Sequence, residues 1–121
     1  LLRAGARYDE TEIEAWQAAV RFPELLATAD GELEEMNRVG MVIDMSHSAE
    51  RSTLEAIGHS TRPIAITHAN PAWWHKALRN KSDEVLRALT ASGGMLGFST
   101  YPHHLKDKSA CTLESFCAMV A

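Results

Sequence analysis

Met41-Val42-Ile43-Asp44-Met45-Ser46-His47 is a short apolar run that ends in a serine and a histidine. Pro63-Ile64-Ala65-Ile66-Thr67-His68 repeats that arrangement: an apolar run, a hydroxyl residue, a histidine. A third run, Met95-Leu96-Gly97-Phe98-Ser99, follows. Near-continuous apolar runs of this length suit parallel strands buried on both faces. Side chains alternate along a strand, so Ile43, Met45 and His47 share one face, as do Ile64, Ile66 and His68. Each histidine then stands at the C-terminal end of a parallel strand, capping an inward-facing apolar row. Active sites of barrels and of open α/β sheets lie at that end.

Helix signals separate the runs. Asp9 to Val20 carries Ile13, Trp16, Ala19 and Val20 at helical spacing, and Pro23 interrupts it. Asp30 opens a second helix with Leu33 and Met36 on one side, and Gly40 stands where a left-handed cap belongs. Ser48 is expected to cap a helix that runs through Leu54 and Ile57 to Gly58. Ser82 caps another, with Asp83 and Glu84 in its first turn and Val85, Leu86 and Leu89 as its buried stripe. Gly93-Gly94 ends it, and Thr112 caps a last helix with Leu113, Phe116 and Val120 facing inward. Strand–helix–strand units of this kind form a parallel sheet with right-handed crossovers. The class is α/β, as an open sheet or an arc of a barrel. A closed eight-stranded barrel needs about 250 residues, so three strands cannot close one. No Gly-rich phosphate loop follows any strand.

Composition bounds the rest. The 121 residues are 45 % hydrophobic and 23 % charged, the balance of a globular chain rather than a disordered one. Lys plus Arg is 12 against 16 Asp plus Glu, a net charge of −4, which argues against a nucleic-acid partner. No run approaches the roughly 20 apolar residues of a membrane span. No basic-then-apolar leader is visible either, so the cytoplasm is the default expectation. Cys111 and Cys117 are expected to be ordinary thiols near a helix.

Two imidazoles on neighbouring strands can reach one metal ion or two adjacent ones, and neutral imidazole suits zinc. Asp44 lies among apolar neighbours, and a buried carboxylate must be paired or hydrogen-bonded. Alternation points it away from His47, so it is expected to orient a ligand rather than to be one. Arg79, in the loop after the second strand, is placed to grip a carboxylate through two parallel bonds. Asn70 and Asn80 lie in the same loop, and Asn70 is expected beside Arg79 as a second substrate contact. Trp73-Trp74 before His75 either roofs a pocket or packs. His103 and His104 fall at the site's end of the sheet, whereas His59 lies between a helix and a strand, away from it.

Glu35-Met36-Asn37-Arg38-Val39-Gly40 through Asp44-Met45-Ser46-His47 resembles a segment of the membrane (renal) dipeptidase family written E-x-N-R-x-G-x-x-x-D-x-S-H. Ile66-Thr67-His68-Ala69-Asn70 resembles its second His strand, Arg79-Asn80-Lys81-Ser82-Asp83-Glu84 its R-N-x-x-D-E element, and Gly93-Gly94-Met95-Leu96-Gly97 its G-G-x-x-G strand. The likeness runs from about Glu32 to Pro102; the first 30 residues are expected to be a helical segment outside it. It implies a (β/α)8 TIM-barrel metallohydrolase of the amidohydrolase type, with two zinc ions, that cleaves dipeptides. His47 and His68 would be ligands of one zinc, and Arg79 would bind the substrate's terminal carboxylate. The family's early His-x-Asp motif, bridging glutamate and late aspartate have no counterpart here. Residues 1–121 are therefore expected to be a single partial domain, a barrel arc of about strands five to seven, inactive alone and contributing part of the site for a small dipeptide substrate in the whole enzyme. Its bare inner face and open edges would be covered by a second copy or by the remainder of the barrel. Two other readings stay open: a non-catalytic dipeptidase-like binding module, and an unrelated open α/β domain that binds an anion at helix N-termini. Helices on both faces of the sheet would favour the last.

Overall fold

The protein's computed structural model describes residues 23–121. Along it run α1 (Pro23–Val39), α2 (Glu50–His59), β1 (Ala65–Ala69), α3 (Asp83–Ala91), β2 (Met95–Phe98), short 3-10 helices at Pro102–His104 and Lys108–Ala110, and α4 (Leu113–Val120). The helix expected over Asp9 to Val20 lies outside the described residues. The two strands form a parallel sheet.

The local chemistry explains most of these boundaries. α1 begins at Pro23, not at Asp30, because a proline in the first turn lacks only an N–H that would have no helical partner anyway. It ends at Gly40, whose φ of +76° lets Met41 N–H reach Met36 O at 2.8 Å and Gly40 N–H reach Asn37 O at 3.2 Å. Ser82 caps α3 by accepting from Val85 N–H at 3.3 Å, and Thr112 caps α4 by accepting from Ser115 N–H at 3.1 Å. Ser48 does not cap α2. Ala49 holds that position, and the Ser48 hydroxyl turns to the sulfur of Met45 at 3.8 Å.

The first expected strand is reduced to a single parallel bridge between Asp44 and Ala65. Ala65 N–H donates to Ile43 O and Met45 N–H donates to Ala65 O, each at 2.9 Å. The next rung of such a ladder would take Thr67 N–H to Met45 O. Instead Thr67 N–H donates to Ser46 Oγ at 2.8 Å, and Met45 O accepts from Lys81 Nζ at 3.0 Å. Side chains thus stop the ladder after one bridge.

The apolar rows face the helices, not a barrel interior. Ile43, Ile64, Ile66 and Ala69 form one core with Ala56 of α2 and with Val85 and Leu89 of α3; Leu33 and Met36 of α1 and Leu96 of β2 pack around it. Phe116 of α4 meets Phe98 edge-to-face, with ring centroids 6.3 Å apart. The expectation of an inward row at Ile43, Met45, Ile64 and Ile66 is corrected by this packing. Amphipathic helices need an apolar surface to cover, and this row is the one they take. Asp44, Thr67, Val42 and Met95, which alternate with it, are exposed.

One irregularity positions the site. Ala65 pairs with Met95 and Ile66 with Leu96, but Ala69 pairs with Phe98, so β1 holds one more residue than β2. That bulge falls at Thr67-His68, opposite Gly97. A Cβ on Gly97 would lie 2.1 Å from the carbonyl oxygen of Thr67, so no other residue fits there without moving the backbone.

Candidate active site

Strict alternation would send His68 to the helix face with Ile64 and Ile66. The bulge re-aims it. Thr67 and His68, which a regular strand would point to opposite faces, have Oγ1 and Nδ1 2.9 Å apart. His68 Nε2 meets His47 Nε2 at 2.6 Å, with the rings edge-to-face and their centroids 4.8 Å apart. His47 stands in the turn after the Asp44 bridge, where backbone alternation no longer constrains it. The structure therefore brings together the two histidines singled out in the sequence.

Asp44 is exposed rather than buried. Its need for partners is met all the same. Ser46 N–H donates to Oδ1 at 3.0 Å, and the Ser46 hydroxyl donates to the same oxygen. Thr67 Oγ1–H donates to Oδ2 at 2.6 Å and Thr67 N–H to Oδ1 at 3.2 Å. Partial burial alone would raise the carboxyl, but these bonds from Ser46 and Thr67 together hold it at about 2.

The proton directions follow from the ends of this chain. Arg79 can only donate, and it donates through Nη1 to His47 Nδ1. Ionised Asp44 can only accept, and it takes the one hydroxyl proton of Thr67. His68 must then donate through Nδ1–H to Thr67 Oγ1, which leaves its Nε2 lone pair to accept from His47 Nε2–H. The network assigns one tautomer to each ring. Burial first, and then the positive charge of Arg79, push His47 below its ordinary value, so it stands neutral near pH 7.

Asn70 is fully buried and faces no opening. Its Nδ2 donates to Ser99 O at 2.9 Å and His104 O at 3.1 Å, and its Oδ1 accepts from Ser99 N–H at 2.9 Å. The substrate contact expected of Asn70 is replaced by a brace between β1 and the segment after β2. Asn80 completes the brace: its Oδ1 accepts from Asn70 N–H at 3.1 Å, and its Nδ2 donates to His75 O at 2.8 Å and His104 O at 3.0 Å. That pins the backbone directly after Arg79. His104 is buried, with Nδ1 2.8 Å from Ser99 Oγ; burial and the charge of Arg79 lower it. His103 and Trp73 are exposed, whereas Trp74 packs edge-to-face on Trp73 and under Lys106 Nζ, 5.3 Å from its ring. His59 ends α2, and Cys111 and Cys117 are free thiols.

Ser46, Thr67 and Lys81 are the residues that sequence reading passed over. Thr67 was hidden because alternation turned it away from His68; the signal that exposes it is Gly97, whose missing Cβ leaves room for the Thr67 carbonyl. Among the described residues, no group of three or more His, Cys, Asp or Glu side chains converges on one point. None of the helices described is long and apolar enough to cross a membrane.

The family described as membrane dipeptidase (peptidase family M19) matches residues 28–120 of the chain. This chain belongs to that family. Dipeptidase tcpJ of Claviceps purpurea is 32 % identical over 84 residues, which are 69 % of this chain and 20 % of that protein. An amidohydrolase from Pseudomonas aeruginosa superposes with a TM-score of 0.70 at 32 % identity, over 73 % of this chain and 27 % of that one. A metallo peptidase from Rhodobacter sphaeroides, liganded with a phosphinate mimic of the dipeptide L-Ala-D-Ala, also gives 0.70, at 25 % identity over 75 % of this chain and 27 % of that one. The chain thus spans 20–27 % of the length of these three relatives. The match covers every element from α2 to β2, and with them the bulge and the paired histidines.

Proposed function

We propose that this chain carries part of the catalytic centre of a zinc-dependent dipeptidase, as a three-segment arc of a (β/α)8 barrel. The observation that carries the reading is the convergence of His47 Nε2 and His68 Nε2 at 2.6 Å. For both imidazoles to hold one divalent cation as neutral ligands, the proton between them would move from His47 Nε2 to its Nδ1, once Arg79 no longer donates there. Membership of the dipeptidase family supports the peptide-hydrolase chemistry. A core on one face of the sheet supports the barrel arc over an open sheet with helices on both faces.

The donor set fits zinc, although two imidazoles are one ligand short of an ordinary catalytic site. The rest of the coordination sphere belongs to other parts of the barrel. When bound, zinc activates a water and polarises the scissile carbonyl. The chain's own residues hold and orient. Asp44, through Thr67 Oγ1, keeps the proton of His68 on Nδ1 and so keeps Nε2 free. Arg79, with its backbone pinned by Asn80, offers a guanidinium beside the histidines for the terminal carboxylate of a dipeptide. Moving from His47 to that carboxylate also releases His47 Nδ1.

Zinc titration followed through the imidazole NMR signals tests the reading. The expected result is that His47 and His68 signals shift together, and that His68→Ala abolishes the shift at His47. Zinc-dependent shifts confined to other residues would overturn it. In a complete barrel holding this segment, Arg79→Met is expected to raise KM for dipeptides.

A further inference from the structure

We infer that Lys81 is a positioning residue that holds the three segments of the site in register. In sequence it looks like a surface lysine beside Arg79, yet only 4 % of it is exposed. Its Nζ donates to Met45 O at 3.0 Å and to Ser48 O at 2.8 Å, the carbonyls on either side of the His47 turn. Its backbone N–H donates to Asn70 O at 2.9 Å, and its carbonyl accepts from Ala72 N–H at 2.8 Å. One residue therefore grips the turn that bears His47 and the strand end that bears His68, and it follows Arg79 by two positions.

Lys81 also decides how the strand ladder ends. A free Met45 carbonyl would accept the Thr67 N–H and extend the pairing by one rung. Occupied by the ammonium, it leaves that N–H to Ser46 Oγ, which keeps Ser46 and Thr67 gathered on Asp44 and Thr67 Oγ1 beside His68. An apolar side chain of equal length would fill the same space at lower desolvation cost. What only the cation supplies is a pair of strong bonds to two carbonyls of one turn.

The test compares the chain with Lys81→Met and Lys81→Arg. The ring-to-ring NOE between His47 and His68 is read without metal, and zinc affinity is read separately. The metal readout rests on the proposed zinc site, whereas the NOE does not. Lys81→Met is expected to lose the NOE and to weaken zinc at least about tenfold, the usual effect of losing an outer support of a ligand, while amide protection in β1 and β2 persists. Lys81→Arg is expected to restore the NOE. Lys81→Met with the NOE intact would overturn the inference, and so would loss of the cooperative melt in both variants, which would make Lys81 a purely structural residue. A wild-type chain that shows the NOE but binds no zinc would overturn the zinc reading and leave the role of Lys81 to the NOE.

Discussion

The sheet's helix-facing side and its C-terminal rim are held together by different physics. On the helix side Ile64, Ile66, Val85 and Leu89 are buried among one another, and burial of apolar area holds them without regard to direction. On the rim, Asp44, Ser46, Asn70, Asn80 and Lys81 hold backbone groups of other segments through directed hydrogen bonds. The first arrangement tolerates a change of shape at constant volume. The second fails when a single donor is lost, because its partner is left without a bond.

The largest effect is expected in the core. Ile66→Ala, at a position with no exposure, should cost about 2–5 kcal/mol in urea unfolding; a cost below 1 kcal/mol would show that the core repacks freely and would blur the contrast. Next comes Asn70→Ala, which strands the buried Ser99 N–H and should cost about 1–3 kcal/mol. Thr67→Val should leave the urea midpoint almost unchanged but weaken zinc by about 10–100-fold, since it removes the link from Asp44 to His68. Equal zinc affinity in that variant would break the rim's claim to orient the ligand.

Asp44→Asn acts on pH dependence. The folded carboxyl at about 2 lies below its ordinary 3.8, so its contribution is complete above the ordinary value and is lost as pH falls through about 2. The contribution is small, because water screens an exposed carboxylate. The variant should lower stability at neutral pH by that small amount and leave the acid end unmoved, so that the acid limb of the stability curve flattens. Smallest of all, Arg38→Ala breaks an exposed pair with Glu35 that spans one helical turn, and should not shift the melting temperature measurably.

Much of the fold was legible in residue patterns. The caps at Ser82 and Thr112, the left-handed glycine at Gly40 and the apolar runs at residues 64–66 and 95–98 rest on local chemistry, and local chemistry is written in neighbouring residues. The first strand was not legible in the same way. Its apolar run is a good strand signal, but Lys81, thirty-six residues away, takes the carbonyl that the ladder needed. Pro23 carried a similar ambiguity, since a proline that ends one segment also suits the first turn of the next.

The candidate site divides along the same line. The sequence by itself determined which side chains have the chemistry: His47 and His68 as a pair of ring nitrogens, Arg79 as a guanidinium, Asp44 as an acceptor. Only the tertiary structure decided which way they point and what they touch. It turned His68 out of its expected face through a bulge that Gly97 admits, linked it to Asp44 through Thr67, and buried Asn70 as a brace. Orientation at a strand end depends on how many residues oppose one another across two strands. That count is a property of the pairing, which neither strand carries alone.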